Sequence, residues 1–153
     1  MHSIPRIAVT MGDPAGVGPE VCLQLLADPA IAKECVPVLF GDAAILRRVA
    51  EAAKQPLQAP ILTPEQWKKN WKQVAQPSVL DLQTMSADAV EPGKVSAATG
   101  KAGFTYVDRA IDAALAGQVA AVSTAPLNKE ALHSAGIQFP GHTEIFAART
   151  HAS

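Results

Sequence analysis

Three short segments of this chain carry the residue types from which a ligand site is built. The first, Thr10-Met11-Gly12-Asp13-Pro14-Ala15-Gly16-Val17-Gly18-Pro19-Glu20, sets three glycines, two prolines and an acid between two apolar stretches. Glycine reaches backbone angles closed to other residues and lets a ligand approach the main chain, so Gly12, Gly16 and Gly18 mark a loop built to hold something. Pro19 suits the first turn of a helix, and Glu20 complements the positive end of its dipole. Asp13 reads equally as a ligand-contacting acid or as a turn former. The second segment is Ser123-Thr124-Ala125-Pro126-Leu127-Asn128-Lys129-Glu130. Asn128 is suited to cap a helix, which puts Lys129 in the first turn, where a cation opposes the dipole. An anionic ligand would reverse that penalty by engaging the lysine and the free N–H groups together. The alternative is an ordinary solvated lysine. The third segment is Phe139-Pro140-Gly141-His142-Thr143-Glu144. Thr143 can cap the helix that follows, leaving His142 in a tight turn beside exposed N–H donors. There it can hydrogen-bond or protonate a substrate oxygen, or simply face solvent.

These segments need a scaffold, and the apolar pattern supplies one. Four short continuous apolar runs, at 7–10, 36–40, 79–82 and 119–123, read as strands covered on both faces. Helical patterns lie between them at 19–27 and 43–54, with a long one at about 95–116. On that long helix Phe104, Val107, Ile111, Ala114 and Leu115 share a face, and Gly117 marks its end. Thr63-Pro64-Glu65-Gln66 has the form of a capping box, and Trp67 and Trp71 follow at a spacing of four, read first as core or interface packing. A further helix opens near Glu144. Alternating strands and helices imply an α/β sheet with mostly parallel strands. In such sheets ligands gather beyond the carboxyl ends of the strands, where the first two segments fall.

Composition removes several classes of function. The 153 residues carry 13 basic against 14 acidic side chains, for a net charge of -1, without a basic face for nucleic acid or anionic membrane. No apolar stretch approaches the roughly 18 residues of a spanning helix, and residues 1–6 lack the apolar core of a signal peptide. A cytoplasmic setting is the corresponding expectation, with Cys22 and Cys35 as free thiols. The glycine loop has neither the G-x-G-x-x-G spacing of a dinucleotide fingerprint nor the Gly-Lys-Ser/Thr of a P-loop.

Taken together, Thr10 to Glu20, Thr124-Ala125-Pro126-Leu127-Asn128-Lys129 and Pro140-Gly141-His142-Thr143-Glu144 resemble the 4-hydroxythreonine-4-phosphate dehydrogenase family of pyridoxal phosphate biosynthesis. Gly93-Lys94-Val95-Ser96, opening the long helix, fits as well. The resemblance implies an isocitrate/isopropylmalate dehydrogenase-like fold, a mostly parallel sheet flanked by helices, in which residues 1–153 form the N-terminal portion of a two-domain homodimeric enzyme. It implies NAD-dependent, metal-assisted oxidation of 4-phosphohydroxy-L-threonine to a 3-oxo acid that decarboxylates to 3-amino-2-oxopropyl phosphate. His142 and Thr143 map onto the pair that contacts substrate, and Lys129 maps onto a lysine beside the same cleft that serves catalysis. The glycine loop, through Gly12, Asp13 and Gly16, is expected to touch the cofactor. The divalent metal (Zn2+, Mg2+ or Co2+) is expected on histidines outside this chain, which would then be inactive alone. Two relatives on the same scaffold remain open, one acting on 4-phospho-threonate or -erythronate and one on an aromatic-acid cis-dihydrodiol. A reading of another class, a non-catalytic anion-binding or dimerisation module, remains open too.

Overall fold

The computed structural model describes residues 4–139 and 141–151. Residues 1–3, Pro140 of the third motif, and residues 152–153 lie outside the described residues. Five strands form one parallel sheet: β1 (Arg6–Thr10), β2 (Val36–Gly41), β3 (Ile61–Leu62), β4 (Ser78–Asp81) and β5 (Ala121–Thr124), in the order β3-β4-β2-β1-β5. Thr10 stands opposite Phe40 on one side and Thr124 on the other, so β1, β2 and β5 end level with each other. That shared rim positions the loops.

The helices are α1 (Gly18–Ala27), α2 (Pro29–Glu34), α3 (Ala43–Ala53), α4 (Pro64–Asn70), α5 (Ala97–Leu115), α6 (Lys129–Ser134) and α7 (His142–Thr150). Their ends follow from local chemistry. Thr63 and Gln66 close a reciprocal capping box on α4. The Ser96 side chain accepts from the Thr99 N–H at the head of α5, and Gly117, at φ +75°, sits just past its end. β3 and α2 were not anticipated: a two-residue strand and a six-residue helix are too short for periodicity to show.

Every residue of β2 is buried, as expected for the middle of a parallel sheet. β5 departs from the expectation. It begins at Ala121 rather than Val119, and Ala121 and Ser123 are exposed, because β5 is an edge strand and only one of its faces is covered. The long helix also departs at its end, where Leu115 is exposed at 62%. Tyr106, Ala110 and Ala113 take the core-facing positions instead. Trp67 is buried, donates its indole N–H to Gln118 Oε1 at 2.8 Å and meets Phe40 edge-on. Trp71 lies beneath the Arg6 guanidinium, 4.9 Å from its ring centre. Both tryptophans are packing elements.

α5 organises the rim. It packs across β1, β2 and β5, and it touches α6 and α7. At Gly100 a Cβ would stand 2.1 Å from the Ala131 carbonyl oxygen, so α6 lies on bare α5 backbone. One turn on, Gly103 faces Leu127 and the backbone of Gly12 and Asp13. Two and three turns on, Val107 and Ile111 receive Ile145 from α7, in a small cluster that also takes in Phe104, Phe139 and Phe146.

Candidate active-site wall

The glycine loop spends most of its conformational freedom on internal packing. Gly12 has φ +77°, and a Cβ there would lie 2.5 Å from the Pro126 carbonyl oxygen. A Cβ at Gly18 would lie 2.0 Å from the Met11 carbonyl oxygen. These two glycines join the β1–α1 loop to the β5–α6 loop and seat the start of α1. Only Gly16 presents an open face, with nothing closer than its own loop at 3.4 Å, and its φ is not left-handed.

The Asp13 N–H donates to the Pro126 carbonyl at 3.0 Å, a second tie between the loops. Its side chain turns inward and is only 5% exposed. Oδ1 accepts from the Ala15 N–H at 2.8 Å, the short-range turn that Asp favours. Oδ2 has no hydrogen-bond partner among the described residues. Burial therefore raises the Asp13 carboxyl above its ordinary range, with the Ala15 N–H and the nearby Thr99 hydroxyl acting the other way. The Thr99 hydroxyl itself donates to the Ser96 carbonyl at 3.1 Å. Thr10 Oγ1, at the end of β1, is likewise buried without a partner.

Between the two loops and the head of α5 lies a cavity of about 240 Å³, lined by Asp13, Gly16, Lys94, Leu127 and Asn128 among others. Its walls are largely apolar with a few polar groups, the usual character of a small-molecule site. Asn128 caps α6 as expected, its side-chain oxygen accepting from the Ala131 N–H at 2.9 Å. Lys129 occupies the first turn of α6 and is exposed, but it is not one of the cavity's lining residues. The cation at the cavity is Lys94, 3.3 Å from Glu91 and mostly solvated. Lys94 figured in the sequence only within the Gly93-Lys94-Val95-Ser96 resemblance, without a site role, because it lies two residues ahead of the Ser96 cap rather than in the first turn, where the charge of Lys129 opposes the dipole.

His142 is not in a turn and Thr143 is not a cap. The helix starts at His142 itself, Gly141 occupies the cap position, and no side chain caps it. Gly141 is extended there, which lets the chain enter the helix two residues earlier than the Thr143 cap would require. His142 is partly buried, and its Nε2 is enclosed with no partner among the described residues. Burial lowers its affinity for a proton, while the Ala125 backbone acts in the opposite direction. Ala125 is also the residue against which Gly12 and Gly18 pack. The three motifs thus meet at the β5–α6 loop, against which the glycine loop packs, which lines the cavity and whose Ala125 backbone meets His142. Thr143 remains exposed. Among the described residues, no three His, Cys, Asp or Glu side chains converge as a metal site would need, so they do not fit the expected divalent ion.

A parallel sheet with flanking helices, loops gathered at its carboxyl rim and no dinucleotide fingerprint defines an α/β protein of the isocitrate/isopropylmalate dehydrogenase-like fold. The chain belongs to the family described as pyridoxal phosphate biosynthetic protein PdxA, whose family model matches residues 33–153. It is 39% identical over 143 residues to a 4-hydroxythreonine-4-phosphate dehydrogenase of Trichlorobacter lovleyi, covering 94% of this chain and 42% of that protein. It is 40% identical over 153 residues to the D-threonate 4-phosphate dehydrogenase of Salmonella typhimurium, covering 95% and 44%. Among solved structures, a 4-hydroxythreonine-4-phosphate dehydrogenase from Burkholderia phymatum superposes with a TM-score of 0.87 at 36% identity, covering 99% of this chain and 45% of that one. The chain spans less than half the length of these relatives. No helix among the described residues is long and apolar enough to cross a membrane.

Proposed function

We propose that this chain forms one wall of the cleft of a dehydrogenase that oxidises a phosphorylated hydroxy acid. The observation that carries the reading is the meeting of the three motifs at the β5–α6 loop, beside an open cavity and a partly buried imidazole whose affinity for a proton is lowered. The proposed reaction converts 4-phosphohydroxy-L-threonine to a 3-oxo acid, which loses CO2 to give 3-amino-2-oxopropyl phosphate. The proposed cofactor is NAD, with Gly12, Asp13 and Gly16 on its side of the cleft. When bound, NAD supplies the acceptor for the hydride leaving the carbinol carbon.

His142 and Thr143 are the proposed substrate contacts. A neutral imidazole can accept a hydrogen bond from the substrate hydroxyl, and the exposed Thr143 hydroxyl can donate to its carboxylate or phosphate. Lys129, and Lys94 beside the cavity, supply positive charge for the anionic substrate. The proposal includes a divalent ion held by residues outside this chain, and nothing here is given a role toward it. A cytoplasmic homodimer completes the reading.

A second reading has a specific support. Relatives named D-threonate 4-phosphate dehydrogenase match this chain as well as the hydroxythreonine enzyme does. The two substrates differ at C2, amino against hydroxyl. NAD reduction by the full gene product, compared on 4-phosphohydroxythreonine and 4-phosphothreonate with Mg2+, Zn2+ or Co2+, separates the two. Reduction with neither substrate overturns both. In the active protein, His142→Ala should lower kcat/KM about tenfold, the scale of one lost neutral hydrogen bond. Unchanged kinetics would remove His142 from the site.

A further inference from the structure

α7 is a helix with little of its own to hold it in place. It has nine residues, no side-chain cap, and one fully buried residue, Ile145. Its first backbone bond, from the Ile145 N–H to the Gly141 carbonyl, is long at 3.4 Å. What sets its position on α5 must therefore be tertiary.

Two anchors are visible. Ile145 enters between Val107 and Ile111, an apolar contact that fixes closeness but tolerates sliding. The other is Arg149, whose guanidinium spans two carboxylates of α5. Nη1 donates to Asp108 Oδ1 and, at 3.2 Å, to the Asp108 carbonyl; Nη2 donates to Asp112 Oδ1. Asp108 and Asp112 are four residues apart, one above the other on the same face. A planar fork across that spacing fixes α7 along the axis of α5, because a slip of one turn, about 5.4 Å, breaks an arm. Seven residues, close to two full turns, separate His142 from Arg149. His142, Ile145 and Arg149 therefore lie on one stripe of α7, and fixing Arg149 fixes His142 about 10 Å away.

We propose that Arg149 is a positioning residue for His142: its fork on Asp108 and Asp112 sets the register of α7, and that register holds the imidazole in its enclosed place against Ala125. The proposal rests on the reading of His142 as a substrate contact for its functional meaning, but the geometry can be tested without substrate. Ion pairs exposed by 29% on the Arg149 side and 37% and 53% on the aspartates' side contribute little to global stability. Register, rather than melting temperature, is what their loss should change.

The test is an NMR titration of the His142 ring in this chain. The wild-type ring should titrate below the ordinary histidine value, because it is enclosed. In Arg149→Ala its midpoint should rise toward that ordinary value. Arg149→Lys, able to reach one carboxylate at a time, should keep part of the depression, and Asp112→Asn should fall between wild type and alanine. Buried-type Trp67 fluorescence should persist in all three. An unmoved His142 midpoint in Arg149→Ala overturns the proposal, and so does a shift accompanied by loss of the Trp67 signal. If His142 takes no part in substrate binding, His142→Ala leaves KM unchanged whatever this titration shows, so the two ideas fail separately.

Discussion

Asp13 and Asp42 occupy equivalent places in the fold and live in opposite circumstances. Each follows a central strand, β1 or β2, and each is almost fully enclosed, 5% and 1% exposed. Asp42 is saturated. Its Oδ1 accepts from the Thr84 N–H at 2.7 Å, and its Oδ2 accepts from the Thr84 and Tyr106 hydroxyls. Nearby, Asp81 accepts from the Ala43 N–H at 3.1 Å, so the β2–β4 end of the rim is a closed polar network. Asp13 has one satisfied oxygen, one orphan, and the orphan Thr10 hydroxyl in the same segment. Buried polar groups without partners are rare enough to need a reason. The contrast divides the rim into a structural end at β2 and β4 and, at β1 and β5, an end with unused hydrogen-bonding capacity. The cavity and His142 are at the second end.

The sharpest way to break this comparison is to remove the saturated carboxylate. Asp42→Ala strands three donors, one on buried Tyr106 and two on partly buried Thr84, each costing about 1–3 kcal/mol, and should lower stability by roughly 3–5 kcal/mol in urea unfolding. A loss under about 1 kcal/mol would mean that the network is not structural. Tyr106→Phe removes one donor of the three and should cost about 1–2 kcal/mol. It should also change the alkaline limb. Burial first, then the Asp42 charge, hold the Tyr106 proton far above the ordinary phenol range. Above about pH 10 the unfolded chain releases that proton and the folded one keeps it. The wild type should then lose about 1.4 kcal/mol per pH unit, a slope absent from Tyr106→Phe.

Much of this division was legible in the residues, and its limits are physical. Strand β2 and helices α1 and α3 show as apolar runs and periodic stripes because burial dictates them. The Thr63 and Asn128 caps show because capping depends on local geometry. Asp42, Thr84 and Tyr106 did not show as a unit, since sequence separations of 42 and 64 residues come together only through the sheet order. An acid at the carboxyl end of a buried strand was the available signal at both Asp42 and Asp81. Gly12 and Gly18 were visible as special, but not their purpose: whether a bare Cα faces a ligand or a neighbouring loop depends on where β5 docks. The start of α7 was misplaced by two residues because Thr143 is a good cap in isolation, and tertiary packing of Ile145 and Arg149 outweighs that preference.

At the open end of the rim the expected effects are smaller, and for the asparagine variant of opposite sign. Asp13→Asn keeps an oxygen for the Ala15 N–H and removes a charge whose burial is unfavourable. It should leave stability at neutral pH unchanged or raise it by up to about 1 kcal/mol. Asp13→Ala, which strands the Ala15 N–H, should instead lower it by about 1 kcal/mol. A loss in the asparagine variant as large as in Asp42→Ala would erase the distinction between the two acids.

The smallest predicted effect is the most specific to the Asp13 environment. Its folded-state affinity for a proton is raised above the unfolded value of 3.8. As pH falls through the raised value, the folded wild type takes up a proton before the unfolded chain does, and the wild type gains stability relative to Asp13→Asn. Any advantage of the asparagine variant should therefore shrink steadily through that window and level off below 3.8, where both states are protonated. Urea midpoints for the two proteins across acidic pH measure the difference directly, because contributions from every other acid cancel. An advantage that grows on acidification would mean the Asp13 carboxylate is stabilised in the fold by a donor. Asp13 would then belong with Asp42, as part of the structural frame, and the unused hydrogen-bonding capacity at the β1 end would shrink to Thr10 and His142.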